Sequence, residues 1–386
     1  EGKLKTVNAF MIYNEGKNKN LFMKDGMSFY SEDPDIFTYF RGYNHTLLDS
    51  VNNSKINIFL NHAREVIANN NEELYNYILN WISYIMQNPN GKTDTALVLT
   101  GAHGCGKTIF CNIISELLKG YAFKNSNNIE HIVGKFNTLI ENKKLIVCNE
   151  LESVDANKYI NLDVLKTIIT EDTITIEEKN ITPRITENVC NIILVSNNDM
   201  PIKLEYGDRR YVVIEPSSKH VNDTVYFKPL YDTFKQDSRA ELGPCECKSY
   251  KDFYNNLFTF FMKRDISEFN PRIIPQTEAR ELLLKASQTS YELFIQDNIS
   301  KFINGYPRCD AYSDYVNWVN ENGFSKCSIK TFKEKLMKFC NDTKITVNHN
   351  RVHVYKLKED VMDRFDLTEY NEKQQELDEI IDSLTK

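Results

Sequence analysis

No apolar run in this chain approaches the roughly 18 residues a membrane-spanning helix needs. Glycine and proline are scarce, 14 and 10 residues in 386, which excludes collagen-like or linker-dominated architecture. A surplus of positive charge is missing too. Lysine and arginine number 47 against 54 acids, for a net charge of −7, so the surface as a whole does not coat nucleic acid. One confined basic surface remains allowed. The opening Glu-Gly-Lys-Leu-Lys has neither the apolar stretch of a signal peptide nor an initiating Met, and the chain is expected to be a fragment of a longer one. Paired cysteine motifs are also lacking. Nine cysteines are scattered, and the single tight pair, Cys245-x-Cys247, has no second pair or nearby His to complete a zinc tetrahedron. Cysteines inside apolar runs, such as Cys148 and Cys190, fit buried thiols in a reducing compartment, and an intracellular location is expected.

What is present is 41% hydrophobic and 26% charged residues, enough for real cores, and a length that suits two to three domains at about 150 residues each. In the first region, 1–90, Leu74, Ile78, Trp81, Ile82 and Ile85 recur at helical spacing over 72–86. Asn-Pro-Asn-Gly at 88–91 then makes a turn. Over 91–235 short apolar runs alternate with helical segments, as a parallel α/β domain requires: ALVLT at 96–100, KLIVC at 144–148, NIILVS at 191–196 and RYVVIE at 210–215. The alternating residues near 173–177 read as a β-hairpin arm. Helical sequence follows over 236–292. Over 293–360 Ser328 caps a helix bearing Ile329, Phe332, Leu336 and Phe339, followed by two strands with a turn at His349-Asn350-Arg351, a winged-helix pattern. The tail, 361–386, holds one acidic amphipathic helix at most.

The sharpest motif is GAHGCGKT, Gly101, Ala102, His103, Gly104, Cys105, Gly106, Lys107 and Thr108, placed between a strand and a helix. Gly101, Gly104 and Gly106 let backbone N–H groups turn toward phosphate oxygens, and the following helix adds its positive N-terminus. Lys107 is expected to reach the β- and γ-phosphates of ATP, and Thr108 to bind Mg²⁺. The apolar strand ending in Asn149-Glu150-Leu151-Glu152 places Glu150 to orient and deprotonate water and to join Thr108 at the metal, with Glu152 in reserve. An amide at the tip of the next strand, Asn197 or its neighbour Asn198, can hold the γ-phosphate or the attacking water. Arg209 and Arg210 precede the last strand, where a guanidinium could stabilise transition-state charge in a neighbouring subunit.

In this order the set resembles the superfamily 3 helicases, most closely the helicase half of poxvirus- and phage-type primase–helicases, over most of 40–290. The resemblance implies an AAA+ type α/β core with an N-terminal helical collar, beside the C-terminal winged-helix-like domain. It implies a ring, expected as a hexamer, that threads single-stranded DNA 3′ to 5′ and unwinds forked duplex DNA in viral or plasmid replication, with host cytoplasm as the expected site. By the same likeness ATP is hydrolysed with Lys107, Thr108 and Glu150, Asn197 senses the γ-phosphate, and the finger is Arg210 or Arg209, Arg210 favoured because it abuts the strand. The hairpin near 174–184 would offer Lys179 and Arg184 to DNA. Asn149-Glu150 departs from the family's two adjacent acids. No primase signature is visible, and residues for priming would lie upstream.

A single lysine per subunit becomes a collar in a ring, so a net-acidic chain can still grip DNA. Lys326, Lys330, Lys333, Lys335 and Lys338 form a second, local basic surface. Two other readings stay open: an ATP-switched DNA-binding initiator or scaffold without processive unwinding, and a small-molecule kinase that would leave the hairpin, Asn197 and the arginines without roles.

Overall fold

The structure, a computed structural model, describes residues 26–126, 129–149, 162–198, 200–234, 248–347, 350–368, 370, 371 and 375. Glu150, Glu152, the Cys245–Cys247 pair, His349 and the apolar positions of the tail lie outside these residues. The chain divides into two compact units. The first runs to Lys203 and over Gly207–Leu283; the second comprises Leu204–Tyr206 and the described residues from Leu284.

Two short paired strands open the first unit, β1 (Gly26–Ser28) and β2 (Ile36–Thr38). Helix α1 (Asn53–Asn61) follows, capped by the Asn52 side chain, and continues as a π-helical segment over His62–Ile67. Helix α2 (Glu72–Gln87) is capped by Asn71 and buries Leu74, Ile78, Trp81, Ile82 and Ile85, the stripe its periodicity predicts. The central sheet has five parallel strands: β3 (Ala96–Leu99), β4 (Ala122–Ser126), β5 (Leu145–Cys148), then β8 (Asn191–Val195) and β9 (Tyr211–Ile214). Their spatial order is β4-β5-β8-β3-β9. Except for β4, every strand is buried along its whole length, which explains why these runs read as continuous apolar stretches instead of alternating ones.

Helix α3 (Lys107–Leu117) follows the first core strand, and its Phe110, Ile113, Ile114 and Leu117 share one core cluster with α1, α2 and one face of the sheet. The short α4 (Glu130–Val133) and α5 (Leu162–Thr170) lie between strands in the chain. The hairpin β6 (Thr173–Glu178) and β7 (Ile181–Glu187) forms its own two-stranded sheet. Glu178 pairs with Ile181 across Lys179-Asn180, where Asn180 takes φ +66°, a left-handed angle that asparagine tolerates. Helices α6 (Thr224–Phe234), α7 (Lys248–Lys263) and α8 (Glu278–Ala286) follow.

In the second unit α9 (Ser290–Asp297) starts at a Thr289–Glu292 capping box. After α10 (Ile299–Asn304), β10 (Tyr306–Pro307) and α11 (Arg308–Glu321) comes α12 (Ile329–Leu336), whose N-cap is Ser328, as expected. Phe332 and Leu336 are buried, but Ile329 is exposed and faces away from the apolar stripe assigned to it. Strands β11 (Cys340–Val347) and β12 (Asn350–Leu357) pair antiparallel, with Asn350 already opposite Val347. The sheet order is β10-β12-β11, and Phe294, Tyr315, Phe332, Leu336, Tyr355 and Leu357 belong to a separate core.

Candidate active site

β8 lies between β3 and β5 although it follows both in sequence, so the carboxyl ends of these strands flank a topological switch point, where open α/β sheets place ligands. Three strand ends deliver the candidate residues there. From β3 the chain enters the glycine loop, with φ +130° at Gly101, +73° at Gly104 and +99° at Gly106. Gly106 is needed for a second reason. A Cβ there would stand 2.5 Å from His62 Cε1 and 2.8 Å from Phe227 Cε1.

A cavity of about 270 Å³ opens beside this loop, walled by the loop and helix residues from His103 to Ile109 and by Asn149, Val195, Asn197, Phe227 and Tyr231. Asn149 follows β5, and Asn197 stands two residues past β8. The motif, the strand-end amide and Asn149 are therefore brought together. Gly101 and Ala102 play a different part. Their carbonyls accept from Lys107 Nζ at 2.7 and 2.8 Å, and Cys105 Sγ lies 3.7 Å from the same nitrogen. Burial lowers the Lys107 pKa, opposed by the neighbouring Cys105. Thr108 is exposed at the second position of α3 and faces the cavity. Among the described residues no three metal-ligating carboxylate, imidazole or thiol groups cluster. The described donors offer a hard cation one hydroxyl, from Thr108, and leave its other positions to phosphates, water and groups outside the described residues.

The loop is held from behind by residues the motif does not contain. His62, in the π-helical segment, is fully buried; its Nε2 is 3.2 Å from the Gly106 carbonyl and its Nδ1 3.2 Å from Tyr226 Oη. The first contact makes Nε2–H the donor, which leaves Nδ1 to accept from tyrosine. Burial lowers the His62 pKa to about 4. Tyr226 stacks on His220 at 3.7 Å between ring centroids, and His220 Nδ1 meets Asp223 at 2.9 Å. Phe227 and Tyr231, on the same helix, reach the cavity. The one sequence signal for this wall is the i, i+4 pair of rings.

Arg209, Arg210 and the hairpin lie elsewhere. Arg210 N donates to Asp208 Oδ1 and Nη1 to Oδ2, both at 3.0 Å, while Arg280 Nη2 donates to the Asp208 carbonyl at 2.6 Å. Arg209 is exposed. Tyr211 pairs with Ala96, so both arginines stand at the amino edge of the parallel sheet, whereas the glycine loop leaves its carboxyl edge. The hairpin also joins β8 at the amino edge. Its tip exposes Lys179, but Arg184 is engaged: its Nε donates to Glu141 at 2.8 Å, its Nη2 to the other oxygen, and Nη1 lies 3.5 Å from Glu178. Asn137 ties the hairpin to the core through Thr175 and Glu177.

Residues 99–210 match a family of unknown function, DUF5906. Over 160 residues, 39% of this chain, the sequence is 30% identical to the DNA primase-polymerase of Nitratiruptor phage NrS-1. The match spans about a fifth of that relative, 22% of its length. Two ligand-free structures of the NrS-1 C-terminal region superpose with TM-scores of 0.61 and 0.59 at 16% and 17% identity. Each covers 84% of this chain, and 80% and 81% of the solved region. The chain is thus related in sequence to a phage DNA primase-polymerase and shares the fold of its C-terminal region.

Proposed function

We propose that this chain is the ATP-hydrolysing motor of a replicative primase–helicase, a ring that moves on single-stranded DNA 3′ to 5′ and separates the duplex at a fork. The observation that carries the reading is the convergence of Lys107, Thr108, Asn149 and Asn197 on one cavity at a strand switch point. Relationship to a phage primase-polymerase supports a place in DNA replication. In the proposed reaction backbone N–H groups of the loop and the α3 N-terminus bind the phosphates, and Lys107 exchanges two carbonyls for phosphate oxygens. Asn197 orients the γ-phosphate or the attacking water, and Glu150, outside the described residues, takes its proton. Mg²⁺ held by Thr108 and by Glu150 would neutralise charge developing on the β- and γ-oxygens.

On this reading the site is shared between subunits. Arg210 is level with the start of β3 and Gly101 lies beyond its end, roughly 20 Å away at about 3.3 Å per residue, too far for a side chain to bridge. A finger at Arg210 therefore serves a neighbour's nucleotide. The Lys179 tip at the same edge supplies the sequence-independent contact to DNA phosphates.

The test mixes two inactive proteins. Lys107→Ala is expected to lose nucleotide binding, and Arg210→Ala to bind ATP but hydrolyse it about a thousandfold more slowly. Mixed, they form interfaces pairing an intact loop with an intact arginine, so hydrolysis should return and rise with single-stranded DNA. No recovery, with both variants still assembling, would sink the shared site.

A further inference from the structure

Away from the phosphate loop, the second unit gathers positive charge around one carboxylate. Asp342 on β11 is 3.3 Å from Arg308 Nη1 and 4.0 Å from Lys333 Nζ through one oxygen, and 3.1 Å from His353 Nδ1 through the other. Arg308 opens α11 and Lys333 lies on α12, so three elements meet at this point. Pairing extends the cluster along the hairpin, because Lys344 stands opposite His353 and Thr346 opposite Arg351. These positions share the sheet face of Tyr355 and Leu357, which enter the core. Nearer the hairpin end that same face is exposed, at Lys344, Thr346, Arg351 and His353.

Arg308 and Lys333 thus pair with Asp342, and Lys344 and Arg351 stand exposed on the same sheet face, in a chain whose net charge is −7. Asp342 satisfies part of Arg308 and Lys333 and holds their heads beside the hairpin, which leaves a fixed surplus of positive charge. Among the described residues this face exposes no phenyl, phenol or indole ring, since Tyr355 is buried, and its one exposed ring, His353, is turned to Asp342 through Nδ1. A single strand is held through rings that stack on its bases, whereas a duplex keeps its bases stacked inside and presents phosphates.

We propose that this face, the exposed end of the β11–β12 hairpin with Arg308 and Lys333, binds the phosphate backbone of duplex DNA independently of nucleotide. The surface is separate from the ATP site and stands whether or not the motor reading holds.

The experiment measures binding of the whole chain to a labelled duplex of arbitrary sequence, and to a labelled single strand, across a salt series. Lys344→Gln with Arg351→Gln alters two exposed side chains and should leave the fold intact. Duplex affinity is expected to fall about tenfold or more, and the slope of log affinity against log salt by about two, near 0.9 per phosphate contact. Single-strand binding should be unchanged. Lys107→Ala should bind duplex as the unaltered chain does, which separates this surface from failure of the ATP reading. Unchanged duplex affinity and slope in the double variant, or equal losses on duplex and single strand, would overturn the proposal.

Discussion

At the level of single residues, the candidate site divides into side chains a motif can announce and side chains only packing can place. Lys107, Thr108 and Asn197 belong to the first kind, because a glycine loop between strand and helix and an amide at a strand end are local patterns. His62 belongs to the second. It lies 44 positions before Gly106, and its contact arises from a π-helical segment that no apolar period reveals. Its titration makes a prediction. Burial holds its pKa at about 4 against an ordinary 6.5, so the unfolded chain binds a proton that the folded chain refuses between those values. Stability is fully present above about pH 6.5 and declines as pH falls toward 4, with a limit on the order of 3 kcal/mol. His62→Gln keeps a donor for the Gly106 carbonyl and has no proton to gain. Denaturant midpoints of the two proteins should therefore converge as pH drops from 7 to 5. Parallel curves over that range would remove His62 from the account.

Among elements, the four fully buried strands were legible because a strand covered on both faces has to be apolar throughout, and the hairpin because its alternation is strict. Strand β4 was not, since AFKNS carries too few apolar residues to stand out; its pairing with β5 is what makes it a strand. The two hairpin cations expected to meet DNA were only partly legible. Arg184 and Lys179 look alike in the sequence, but Arg184 meets Glu141 from a segment more than forty residues away. The loop supplies a contrast between two glycines that the motif treats alike. A Cβ on Gly104 would meet only Val221, at 4.0 Å, whereas one on Gly106 would enter His62 and Phe227. Gly104→Ala should cost little beyond the left-handed backbone, about 1–2 kcal/mol. Gly106→Ala should cost clearly more and displace the Lys107 backbone, weakening nucleotide binding by at least tenfold. Thermal midpoints and titration with a fluorescent ATP analogue read both effects, and equal losses in the two variants would contradict the clash at Gly106.

Across the whole molecule, periodicity shows that 278–286 is helical but not that its two ends serve different bodies. Arg280 donates to the carbonyl of Asp208 in the first unit, while Ser287, just past the helix, accepts from the backbone of Leu204 in the second. Both partners lie about seventy or more residues upstream, beyond any local pattern. Two units with separate cores should unfold in two steps. On the proposed reading only the first holds nucleotide, and a ligand at a hundred times its dissociation constant adds about 2.7 kcal/mol to the unit that binds it. Calorimetry with Mg²⁺ and a slowly hydrolysed ATP analogue should raise one midpoint by roughly 5 °C and leave the other in place. Lys107→Ala should abolish the rise. A short duplex should instead raise the stationary midpoint, and Lys344→Gln with Arg351→Gln should cancel that effect alone. If both midpoints move with either ligand, the units fold as one, and the assignment of ATP and duplex DNA to different units fails with that result.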